Sequence, residues 1–186
     1  LVRAAPEHVE RPFDVIDPST TFENYRLLIL PDDIPVDDGL AARFNAYLKQ
    51  GGKLILTGKS GLNPDGSFAL DAGIRSGGDV AFNPSYLKGG RKLDGSLTES
   101  PFVMYGVGQA ITSTGAEVLA EIAPSYFNRS YKHFSSHQHA PDNPQAASLG
   151  AAVTLKGGIG YIAYPIFAMY HAMGQPLYRY LVRGLI

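Results

Sequence analysis

Serine and histidine are the residues of this chain best equipped for chemistry, and they fall in different places. Thr57-Gly58-Lys59-Ser60-Gly61 follows an apolar run, where glycines let a backbone turn sharply at a strand end. A phosphate loop would need a glycine five positions ahead of its Gly-Lys-Ser. Lys53 holds that position, and Gly52 is one residue out of register. A nucleophile elbow needs Gly-x-Ser-x-Gly; Ser60 has Gly58 two before it, but Leu62 takes the second glycine position. A hydrolase built on Ser60 would also need a histidine base. The plain expectation is a tight turn.

His133, His137 and His139, within YKHFSSHQHAP, form the densest ionisable cluster. Their H-x₃-H-x-H spacing could bring imidazoles to one ion if the loop curls, which makes them the metal candidates. Asp142 is the only nearby carboxylate and Pro141 interrupts any preset ligand face, so a hydrogen-bonded structural loop is expected first. Contact with a sugar or a partner subunit comes next, through Asn128, Arg129, His133, His137 and His139. Asn128-Arg129-Ser130 also matches a glycosylation sequon, a pattern common by chance. Asp32, Asp33, Asp37 and Asp38 follow an apolar run, and Pro31 and a helix start account for them as turn and cap residues. No catalytic residue and no cofactor are assigned.

The elements that position these residues begin with Tyr25 to Gly61. Leu27 to Leu30 and Lys53 to Thr57 are short apolar runs on either side of a helix-period segment. That pattern predicts a βαβ unit with both strands central in a sheet buried on both faces. Asp37 or Asp38 caps the helix, Leu40, Ala41, Phe44, Tyr47 and Leu48 are its buried stripe, and Gly51 ends it. Phe13 to Asp17 reads as an earlier strand, and Leu1 to Val9 as the end of a helix. From Lys59 to Pro101 the periodic signal fades into a loop-rich stretch, with a turn at Asn63-Pro64-Asp65-Gly66. Phe102 to Tyr105 and Glu117 to Ala120 are short strands, and Ser125 to Pro144 is loop. Ala151 to Leu155 and Ile159 to Tyr164 form a hairpin about Gly157-Gly158. Pro176 opens a last helix that buries Leu177, Tyr178, Leu181, Val182 and Leu185.

The whole chain of 186 residues is expected to be one domain. A formal net charge of -1 argues against a nucleic-acid or anionic membrane surface. No apolar run approaches the roughly 18 residues of a membrane-spanning helix. The absence of cysteine removes disulfides, thiolate metal sites and a thiol nucleophile, while leaving the compartment open. The start near a helix end suggests a piece of a longer polypeptide, or one missing its first strand.

The run FDVIDPSTTFENYRLLILPDDIPVDDGLAARFNAYLKQGGKLILTGKSGL resembles the glutamine-amidotransferase-like domain of multidomain bacterial glycoside hydrolases, the β-galactosidase trimerisation type. PFVMYG, EVLAEIAPSYFNRSYKHFSSHQHAP and GYIAYPIFAMYHAMGQPLYRYLV are most similar to its α-L-fucosidase-like branch. The resemblance implies a flavodoxin-like, mostly parallel sheet with helices on both faces and a C-terminal hairpin. It also implies a homo-oligomer packed against a catalytic (β/α)₈ barrel of the same parent chain, able to edge a neighbour's active site. Amidotransferase chemistry needs a Cys elbow and a His-Pro-Glu. This chain has Ser60 near the first and Tyr164-Pro165-Ile166 at the second, so the resemblance implies a domain without that chemistry. Two other readings stay open: a stand-alone hydrolase or metal-dependent enzyme using Ser60 or the histidine cluster, and a carbohydrate-binding module.

Overall fold

A computed structural model of the chain describes residues 13–136 and 139–186. Nine strands and three α-helices are found there. In chain order they are β1 (Leu27–Leu30), α1 (Asp38–Lys49), β2 (Lys53–Thr57), β3 (Ile74–Asp79), β4 (Ser85–Lys88), β5 (Phe102–Met104), β6 (Gln109–Ser113), β7 (Glu117–Ala123), β8 (Gly150–Lys156), β9 (Ile159–Ile162), α2 (Ile166–Met173) and α3 (Pro176–Arg183). Seven strands form one sheet in the order β1-β2-β9-β8-β7-β4-β5, and β3 pairs with β6 in a separate ribbon.

This corrects the expected fold class. The sheet is mixed and curled into a half-barrel with few helices, not a flavodoxin-like parallel sheet with helices on both faces. Only β1–β2 and β2–β9 pair in parallel. The β9–β8, β8–β7, β7–β4 and β4–β5 pairs are antiparallel. The reason lies in the chain after β2. A parallel neighbour needs a crossover at every step, and only α1 supplies one of the expected length. The glycine- and proline-punctuated stretch beyond residue 73 turns back on itself instead, and its short strands pair antiparallel.

The position of β1 is corrected as well. It is an edge strand, paired on one side only. Leu28 and Leu30 are buried while Ile29 is 37% exposed, so one face of this apolar run is open. The segment Phe13 to Asp17 is not a strand, and Phe13 and Val15 are exposed. The helix expected over Leu1 to Val9 lies outside the described residues.

Local chemistry explains the elements that did form as expected. Asp37 is the N-cap of α1, its Oδ1 accepting the Leu40 N–H at 2.8 Å. At the other end Gly51 has φ +91°, its N–H donates to Leu48 O and that of Gly52 to Tyr47 O. These paired bonds satisfy carbonyls that the helix leaves without partners. Ala41, Phe44 and Tyr47 are buried, and Phe22 stacks on Phe44 at 5.1 Å. Gly157 and Gly158, both at positive φ, turn β8 into β9. In α3, Pro176 sits in the first turn and Tyr178, Leu181 and Val182 are buried. Arg183 fixes the end of α3 to the loop after β4, pairing with Asp94 at 2.6 Å; the Arg183 guanidinium holds the Asp94 carboxyl down at about 2.

Candidate functional site

The strand ends after β1, β2 and β9 are where a nucleophile would be expected, and the Asp32, Thr57 and Ser60 side chains there are already committed. Thr57 ends β2 fully buried; its hydroxyl accepts the Asp32 N–H at 2.7 Å and donates to Asp32 Oδ1 at 2.8 Å. Gly58 turns the chain at φ +57°, so close to β1 that a Cβ would lie 2.5 Å from the Asp32 carbonyl oxygen. The Lys59 N–H donates to that same oxygen at 2.6 Å. Tyr161 on β9 donates its hydroxyl to Gly58 O at 2.7 Å, and burial raises its pKa. Ser60 is fully buried, and its Oγ accepts the Ile34 N–H at 3.1 Å. A buried hydroxyl engaged with the backbone is not presented to a substrate. Thr57 to Gly61 is a strand-end turn.

Asp32 is the organising residue of this corner. It adopts φ +60° and closes on α2, where Oδ1 accepts the Phe167 N–H at 3.2 Å and Oδ2 the Ala168 N–H at 2.7 Å. Its carboxylate therefore occupies the N-terminus of α2, where backbone donors lack helical partners and an anion is favoured. The preceding Tyr164-Pro165-Ile166 contributes no ionisable base. Tyr164 is buried and hydrogen-bonded to Ser85 at 2.7 Å, and Ile166 is a core residue. Beside this corner, the Gln109 amide and the Lys59 ammonium hold the Asp79 carboxyl below the usual carboxylate range. The Ser76 hydroxyl completes that network by donating to Gln109 at 3.0 Å.

The second candidate region is the loop between β7 and β8. His133 lies against Phe127, with ring centroids 6.3 Å apart, whereas His139 lies against Tyr105 at 5.3 Å and Tyr86 at 6.5 Å. These two histidines are ring partners at different parts of the loop. His137 lies outside the described residues. Among the described residues, no group of three or more acidic or histidine side chains is placed to hold a metal ion. Arg129 donates to the Ser136 carbonyl at 3.2 Å, and Asn128 hydrogen-bonds the backbone at Ala81 and Asn83. The loop nonetheless exposes large aromatics: Tyr126 at 51%, Phe134 at 62% and Tyr131 at 97%.

Sequence reasoning missed Asp32 as the cap of a helix some 130 residues later, because α2 itself was not anticipated. It also missed the Asn128 contact. Asn-Pro before β4 was the available signal for an ordered turn there, but not for its partner.

The comparisons with known proteins fit this division. Residues 7–76 match the model of the β-galactosidase trimerisation domain. The structure of α-L-fucosidase isoenzyme 2 from Paenibacillus thiaminolyticus is 34% identical with a TM-score of 0.83, over 91% of this chain and 26% of that one. By these likenesses the chain is a non-catalytic accessory domain of the kind carried by glycoside hydrolases. Two further structures share the fold. The β-galactosidase of Rahnella sp. R3 has a TM-score of 0.63 at 18% identity, over 92% of this chain and 24% of its own. The exo-β-1,4-mannosidase of Opitutaceae bacterium strain TAV5 has 0.57 at 12%, over 91% and 27%. The chain thus spans about a quarter of the length of these relatives. No curated protein matches it. No helix among the described residues is long and apolar enough to cross a membrane.

Proposed function

We propose that this domain belongs to a longer glycoside hydrolase of the α-L-fucosidase-like branch, where it mediates homo-oligomerisation and packs on the catalytic barrel of the parent chain. Identity to the Paenibacillus thiaminolyticus fucosidase over nearly the whole chain is the observation that carries this reading. The match to a trimerisation-domain model supports the oligomer. The physical support is the β7–β8 loop. Three large aromatics, Tyr126, Tyr131 and Phe134, are held in water on an ordered loop, which costs free energy unless a partner covers them. Aromatic rings of this kind are enriched at the centres of protein interfaces. In the assembly this loop lies against a barrel or neighbouring subunit, where it can edge an active site without supplying its catalytic groups.

The test is the mass in solution of the 186-residue chain and of the longer parent protein, by sedimentation equilibrium. Replacing Tyr131 and Phe134 together by Ala is expected to shift the assembled species toward monomer by at least tenfold in dissociation constant. Their effect on unfolding free energy should stay within about 0.5 kcal/mol, since both side chains are exposed. Hydrolysis of a glycoside by this chain alone would overturn the non-catalytic assignment.

A further inference from the structure

The β7–β8 loop is closed at its base by an isolated antiparallel bridge between Ser125 and Asp142, in which the Tyr126 N–H donates to the Pro141 carbonyl at 3.1 Å and the Asn143 N–H to the Pro124 carbonyl at 2.8 Å. The Tyr86 hydroxyl, from β4, donates to the Ala140 carbonyl at 2.8 Å. The tip is closed by its own bonds: Ser130 and His133 exchange backbone hydrogen bonds of 2.8 and 3.2 Å, and Arg129 donates to Ser136 O. Base and tip are each ordered locally. Asn128 ties the tip side to the body of the domain.

Both ends of its amide are used. Oδ1 accepts the Asn83 N–H at 3.0 Å, and Nδ2 donates to the Ala81 carbonyl at 2.6 Å. Those two backbone groups belong to the turn leading into β4. One planar amide therefore reads a donor and an acceptor two residues apart, as a facing strand would. Of the short side chains only asparagine can do this, because aspartate offers acceptors alone and serine is too short to span both.

We propose that Asn128 is the positioning residue of the aromatic loop, locking Tyr131, His133 and Phe134 in one pose against the turn before β4. This rests on the reading of the loop as a docking surface and adds how that surface is kept ready. A loop fixed before docking does not lose its conformational freedom on contact, so affinity is retained that a mobile loop would forfeit. The same geometry sets the fate of the Asn128-Arg129-Ser130 sequon. Its amide nitrogen faces Ala81, so a glycan attached there would have to open the clamp.

Hydrogen–deuterium exchange on the 186-residue protein tests the proposal. In Asn128→Ala, the hydrogen-bonded loop amides of Ser130 and His133 should exchange roughly tenfold faster than in the unaltered protein, while those of β2 and β8 stay unchanged. Asn128→Asp at pH 7 should behave alike, because a carboxylate cannot donate to Ala81. At about pH 4 the introduced carboxyl gains a proton and can donate again, so its loop exchange should move back toward that of the unaltered protein at the same pH. That return is a signature a general loss of packing does not give, and it remains readable if Asn128→Ala fails to fold. Unaltered loop exchange in Asn128→Ala, or no recovery in Asn128→Asp, would overturn the clamp. Sedimentation of the unaltered protein separates the two ideas: a monomer at all concentrations, in the chain and in its parent, would defeat the docking reading while leaving the exchange result to decide the clamp.

Discussion

The corner at Asp32 and the loop at Tyr131 are opposites built on one sheet. At the corner, Thr57, Gly58, Ser60 and Asp32 spend their polar atoms on one another or on backbone, and the hydroxyls are buried. At the loop, backbone and amide groups are bonded while the apolar rings face water. A catalytic corner would show the reverse, with a reactive group left exposed and a base beside it. The contrast teaches that the place where this topology could host chemistry has become a structural joint, and that the outward-facing surface lies elsewhere.

The largest expected effect is at the joint. Gly58→Ala meets both a positive φ and an oxygen 2.5 Å from the new methyl, so urea unfolding should show a loss of about 3 kcal/mol or more. A change under 1 kcal/mol would mean that the corner is loose enough to admit a ligand, and the comparison would break. Asp32→Ala comes next. It removes the acceptor from two helix N–H groups and from Thr57, and is expected to cost about 2 kcal/mol in the same measurement.

Smaller still is the Asp94–Arg183 pair, which serves as a scale from outside both regions. Its folded carboxyl pKa, about 2, lies below the ordinary 3.8, so its stabilisation is full above pH 4 and fades as pH falls through 2. Asp94→Asn should cost about 1 kcal/mol at pH 7, discounted because Arg183 is half-exposed, and the difference should shrink toward zero near pH 2. Thermal midpoints across that pH range check it. The loop pair Tyr131 and Phe134 closes the series, expected to move assembly and leave stability nearly alone.

Signals confined to a few neighbouring residues were legible in the sequence. The Asp37 cap, the Gly51 exit of α1, the Gly157-Gly158 turn and the Pro176 start of α3 each express a backbone requirement met by one or two side chains. The sheet class was not legible, because an apolar run such as Leu27 to Leu30 looks the same whether both faces are covered or one is left open, as at Ile29. Helix α2 was hidden because IFAMYHAM is apolar nearly all round and offers no amphipathic stripe. In the site, the turn character of Thr57 to Gly61 was readable from the missing second glycine. The partners of Asp32 and Asn128 were not, since those bonds join positions 136 and 47 apart.

The pairing of β2 with β9 has a consequence for how the molecule is made. Leu54 sits beside Ile159, and Tyr161 reaches back 103 positions to Gly58. On the ribosome, the β1–α1–β2 unit emerges long before its partner, and its inner edge stays unpaired until β9 is synthesised. Completing the sheet then requires closing that long loop in one step, which makes this contact a slow and late event in folding. The segment from β1 to β2 is thus synthesised well before the strand that pairs with its inner edge.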